Sequence, residues 1–72
     1  MLEQYKENLN WFNSNYNFLV HRYNNQYVAI NNNKIIDFDR YLDKLIERLK
    51  ANYRNIWFCF AIDFVFPENH LS

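Results

Sequence analysis

Residues 57–66, Trp-Phe-Cys-Phe-Ala-Ile-Asp-Phe-Val-Phe, are an apolar run broken by a single charge, and nothing else in the chain restricts its folding so tightly. At the two-residue period of a strand, Phe58, Phe60, Ile62, Phe64 and Phe66 fall on one side. Trp57, Cys59, Ala61, Asp63 and Val65 fall on the other. A solvated strand normally keeps one polar face, so a strand apolar on both sides demands two covers. Each fully buried Phe or Ile contributes roughly 1.5–3 kcal/mol, which makes the Phe side the expected anchor of a core that a chain this short can only build thinly.

Elsewhere the periodicity is helical. Leu2, Tyr5, Leu9, Phe12, Tyr16, Leu19 and Tyr23 are spaced by three and four and predict one amphipathic helix, bent or divided at Asn13-Ser14-Asn15, where the residue types favour caps over helix interiors. Trp11 and Phe18 make a second apolar line on its flank. Leu42, Leu45, Ile46, Leu49 and Tyr53 mark a second helix, with Asp39 as its expected N-cap and Lys44, Glu47, Arg48 and Lys50 on the solvated face. Between the helices, Tyr27-Val28-Ala29-Ile30 and Lys34-Ile35-Ile36-Asp37-Phe38 predict a hairpin. The chain has no glycine and thirteen asparagines, several of them clustered at the breaks, where Asn is the non-glycine residue that best tolerates left-handed backbone.

The expected fold is a single α+β domain over residues 1–72, in the order helix, strand, strand, helix, strand, with 68–72 as a tail. Two helices on one face of a three-stranded, mainly antiparallel sheet would let both stripes share a core with the Phe side of the last strand. The last strand would return parallel to the second and lie antiparallel beside the first.

With the elements placed, Trp11-Phe12, His21-Arg22-Tyr23, Gln26-Tyr27-Val28-Ala29-Ile30 and the Leu42/Leu45/Leu49 helix together resemble a family of small prokaryotic domains of unknown function. Its pattern runs W-F-x-x-N-Y-x-x-L-V-x-x-Y-x-x-x-Y-V-A-[IV], then a hairpin, then an L-x-x-L-x-x-L helix. Asn stands here at turn positions where that family often has glycine. The resemblance implies the architecture and lends no activity or catalytic residue.

Composition sets further expectations. Eight basic and eight acidic residues cancel, removing the usual electrostatic reason to bind nucleic acid or an anionic membrane. One cysteine, no Asn-x-Ser/Thr site and no signal-like N-terminus favour a cytoplasmic protein. Cys59, His21 and Asp63 contain the residue types of a thiol nucleophile, base and orienting acid, but no context activates the thiol, and Cys59 reads as a small buried hydrophobe. His21, His70 and Cys59 lack paired zinc-ligand spacing. Asp37, Asp39 and Asp43 sit where a helix begins, so they are expected to accept backbone N–H bonds rather than bind a metal ion. Without glycine there is no phosphate loop. The expectation is therefore no enzyme, no cofactor and no metal.

What remains is a module that binds protein, as a homodimer or with another partner, through the last strand. Since both helix stripes are assigned to the Phe side, Trp57, Cys59, Ala61, Asp63 and Val65 are the expected interface. Asp63 is the test position within it, because a covered carboxylate needs a donor or a cation. The alternative is single-stranded nucleic acid stacking on sheet aromatics.

Overall fold

The computed structural model describes residues 2–67. The expected tail at 68–72, including His70, lies outside the described residues. The first helix is divided into α1 (Leu2–Ser14) and α2 (Tyr16–Tyr23). Asn15, at φ −112° and ψ 17°, makes the break. Both its backbone N–H (3.0 Å) and its side-chain amide (2.9 Å) donate to the Trp11 carbonyl, so a side chain competes with the helical ladder at the kink.

Strands β1 (Gln26–Asn31) and β2 (Lys34–Asp39) form the hairpin, α3 (Leu42–Asn52) follows, and β3 (Ala61–Val65) ends the described sheet. The order is β2-β1-β3, with β1 antiparallel to both neighbours. Asparagine performs the expected turn work. Asn32 and Asn33, the two loop residues of the hairpin, have φ 53° and 63°, the positive pair that a type I′ turn requires, and Asn25 before β1 has φ 64°. The register slips once, since Ala29 faces Asp37 but Ile30 faces Ile35, which leaves Ile36 as the extra residue of a bulge.

The fold class and strand arrangement match the sequence expectation, but the layering does not. Val28 and Ile30 pack with Phe12, Leu19, Val20, Ala61 and Val65, under α1 and α2. Ala29 packs with Leu45, Leu49 and Phe60, under α3. The helices therefore flank the sheet on opposite faces rather than sharing one. The physical reason lies in β1, whose consecutive Val28, Ala29 and Ile30 are all fully buried, so the central strand needs a cover on each side.

Two side-chain networks, one buried and one partly exposed, tie the layers together, and neither is visible as a motif. Asn8, in α1, donates from Nδ2 to Asn31 Oδ1 (3.0 Å) and to the Cys59 carbonyl (3.0 Å), and accepts the Asn32 N–H on Oδ1 (3.2 Å). Gln4 Nε2 adds a bond to the same Asn31 oxygen. Arg48, in α3, makes a fork on Asp37 (3.0 and 3.0 Å) and reaches Asp39 (2.7 Å) and the Phe38 carbonyl (2.9 Å). Asp39 is not the N-cap, a position held by Tyr41, but it accepts the Tyr41 N–H at 2.8 Å.

That N–H, and after it the Arg48 guanidinium, hold the Asp39 carboxyl below its usual range. A lowered folded-state pKa contributes stability above the unfolded value that is lost as pH falls through the folded one. Arg48→Gln is therefore expected to flatten the acid limb of stability below about pH 4. Urea midpoints at neutral and acid pH check this, and the same midpoint loss in both proteins would contradict it.

Candidate functional site

The last apolar run divides differently from its period-two reading. Trp57–Cys59 is a 3-10 turn, closed by Cys59 N–H to the Ile56 carbonyl (2.9 Å) and Phe60 N–H to the Trp57 carbonyl (3.1 Å), and the strand begins only at Ala61. Strand alternation therefore cannot be extended back through Trp57 and Cys59.

Within β3 the two faces exchange the roles expected of them. Ala61 is 1% exposed and Val65 fully buried, both against α1 and α2, and Cys59 is buried beside them in the chain. Of the five residues expected at an interface, these three are thus covered by the protein itself. Trp57 is half-buried beneath Lys50, whose Nζ lies 5.6 Å from the ring centroid. Asp63 is exposed and accepts the N–H of the next residue, Phe64, at 2.8 Å. That bond explains the odd carboxylate, which leaves the apolar face for the strand edge.

The Phe side is the one left open. Helix α3 lies over β2 and β1, and Tyr27 and Ile62 pack against the edge of its buried cluster, whereas Phe64 and Phe66 lie outside that cluster. Phe60 is buried, but Ile62 and Phe64 are only partly covered, and Phe66 is 49% exposed. Tyr27 of β1 stands opposite Phe64, with centroids 4.9 Å apart, and Phe64 meets Phe66 edge-on at 5.0 Å. Tyr27, Ile62, Phe64 and Phe66 thus make a connected, uncharged aromatic margin whose ring pairs hold one another in place. The other exposed ring in a close pair, Phe38 against Tyr23 at 5.0 Å, lies on the opposite face and the opposite edge strand.

The other candidates come out separately. Cys59 is buried, whereas His21 is exposed in the last turn of α2 and Asp63 is engaged at its edge, so the structure does not assemble the three as a catalytic group. Asp37 and Asp39 do bind a cation, the guanidinium of Arg48, which the sequence had placed on the solvated face; Asp43 stands apart in the first turn of α3. Among the described residues, no group of three His, Cys, Asp or Glu is placed to hold a metal ion, and no helix is long and apolar enough to cross a membrane.

The family of unknown function DUF5678 matches residues 19–58, more than half of the chain. The chain belongs to DUF5678. The match runs from Leu19 in α2 through the hairpin and α3 into the 3-10 turn. Tyr27 therefore lies within the DUF5678 span, whereas Phe64 and Phe66 lie beyond it, as do Trp11 and Phe12 of the helical motif. No curated protein and no solved structure matches the chain.

Proposed function

We propose that the chain is a non-enzymatic, cytoplasmic interaction module that pairs with a second copy of itself through the aromatic margin of Tyr27, Ile62, Phe64 and Phe66. The observation that carries this reading is the run of ring contacts from Tyr27 through Phe64 to Phe66 on a sheet margin that the α3 cluster covers only in part. A small domain gains from covering such a patch, because apolar area removed from water contributes about 25 cal/mol per Å². A second copy suits it because Tyr27, Ile62, Phe64 and Phe66 carry no charge, so a two-fold contact made by these side chains sets no charge of the patch against its own copy. The neutral composition and lone cysteine favour the cytoplasm, and the helix and hairpin signatures favour a prokaryotic family. Sedimentation of the native chain against Phe64 and Phe66 variants tests the pairing.

The same rings favour a second reading, the stacking of single-stranded bases on an open sheet. Such sites need a positive groove, and here Arg48 is engaged by two carboxylates while Lys50 covers Trp57. A fluorescein-labelled single-stranded oligonucleotide pool at low salt is expected to show no anisotropy change up to about 10 µM protein. Saturable binding below that concentration would replace the pairing reading with this one.

A further inference from the structure

The two outer strands of the sheet carry the same tripeptide, Ile-Asp-Phe, at Ile36-Asp37-Phe38 in β2 and at Ile62-Asp63-Phe64 in β3. In both copies the Asp Oδ1 accepts the N–H of the following Phe at 2.8 Å. These N–H groups point away from the sheet. In β3 the Val65 carbonyl accepts from Asn25 on the β1 side (2.6 Å), which sets residues 61, 63 and 65 inward and 62, 64 and 66 outward. The next outward donor, Phe66 N–H, goes to the Tyr16 hydroxyl at 3.0 Å. In β2 the Phe38 carbonyl is taken by Arg48 Nη2 at 2.9 Å, so at Phe38 both backbone groups are occupied by side chains.

We infer that the paired Ile-Asp-Phe tripeptides are edge locks, which deny the outer strands to another chain and leave face-to-face contact as the route of association. An unpaired strand edge is a template for strand addition, and proteins blunt it with charge and with local capture of its donors. Asp63 does both. It is the one charge between Trp57 and Phe66, in a segment whose β-propensity, apolarity and lack of glycine and proline are those of a cross-β former. It also occupies the Phe64 N–H that an incoming strand would use. The two locks use opposite faces, because Asp37 sits opposite Ala29 on the α3 side and Asp63 opposite Val28 on the other. Neither edge is then left to the covering helices alone.

Asp63 gives the cleaner test, since Asp37 also holds Arg48. Asp63→Ala removes acceptor and charge together, while Asp63→Asn keeps an oxygen acceptor and removes only the charge. Aggregation of the full chain is followed by thioflavin fluorescence and light scattering, with urea midpoints measured in parallel. The expected result is onset at least about tenfold earlier for Asp63→Ala at a nearly unchanged midpoint. An intermediate onset is expected for Asp63→Asn. If Asp63→Ala does not fold, the asparagine variant decides alone, by the same criterion of earlier onset. Native-like onset in every folded variant would overturn the inference. The result is independent of the pairing proposal, because substitutions in the aromatic margin leave the Asp63 lock in place.

Discussion

Asn8→Ala is expected to destabilise the domain by about 2–4 kcal/mol, the largest effect of any polar substitution in α1. The side chain is almost fully buried and commits both its N–H donors and its oxygen to two separate pieces of chain, the hairpin end at Asn31-Asn32 and the 3-10 segment at Cys59. Truncation strands the carbonyl of buried Cys59, at about 1–3 kcal/mol, removes the partner of the Asn32 N–H, and leaves a cavity. Asn31 Oδ1 keeps its bond from Gln4, which limits the loss there. Against a total of about 5–15 kcal/mol for ordinary domains, with small ones at the lower end, such a loss leaves the variant close to unfolding. Asn8→Asp separates cavity from hydrogen bonding. It keeps the shape and the acceptor for Asn32, but turns an oxygen toward two other acceptors, and should be at least as damaging at neutral pH. Asn10→Ala, on the exposed side of the same helix, should stay within about 0.5 kcal/mol. Urea denaturation of the three variants measures this, and a midpoint for Asn8→Ala equal to that of Asn10→Ala would refute the hub.

Nothing in the sequence marks Asn8 as different from its neighbours. The stripe through Leu2, Tyr5 and Leu9 points to a face that α1 only partly buries, since Leu2 and Tyr5 are exposed. Position 8 meets instead the hairpin turn and the 3-10 segment, whose backbone groups need a polar partner. Arg48 was hidden for a related reason. Its partners lie nine and eleven residues back, on a strand, where no helical spacing can announce them.

The legible parts were those governed by short-range rules. Helix periodicity, the interruption at Asn15 and the use of Asn for left-handed turns all follow from local sterics and side-chain competition. The strand order followed from connectivity. What misled was the period-two extrapolation through 57–66, because the 3-10 turn consumes its first three residues. Val28-Ala29-Ile30 does not alternate, and that run opposes stacking both helices on one face. A central strand apolar at successive positions is buried on both sides, so α3 and the α1/α2 pair must separate. Small Ala61 and Val65 then suit the close approach of two helices, and the Phe side runs from buried Phe60 under α3 to half-exposed Phe66.

From that inversion follows the second large effect. Phe66→Asp is expected to weaken self-association by about 100-fold or more, because it removes a half-exposed ring and sets a charge inside an apolar patch. Its effect on monomer stability should be small by comparison, as Phe66 is 49% exposed and belongs to neither buried cluster. Phe64→Ser removes the ring that links Tyr27 to Phe66 and should weaken association as well, with a larger stability loss because Phe64 is partly covered. Ala61 and Val65, by contrast, lie beneath α1 and α2, so substitutions there should lower stability without a separate effect on pairing. A margin of four side chains is small as interfaces go, which places the expected dissociation constant at about 10–100 µM rather than nanomolar.

Sedimentation equilibrium of the native chain and of Phe66→Asp, from a few micromolar to several hundred, tests this account most directly. The expected result is a reversible monomer–dimer equilibrium for the native chain and a folded monomer throughout for Phe66→Asp. A native chain that stays monomeric over the whole range, or a Phe66→Asp variant that dimerises as the native chain does, would contradict it.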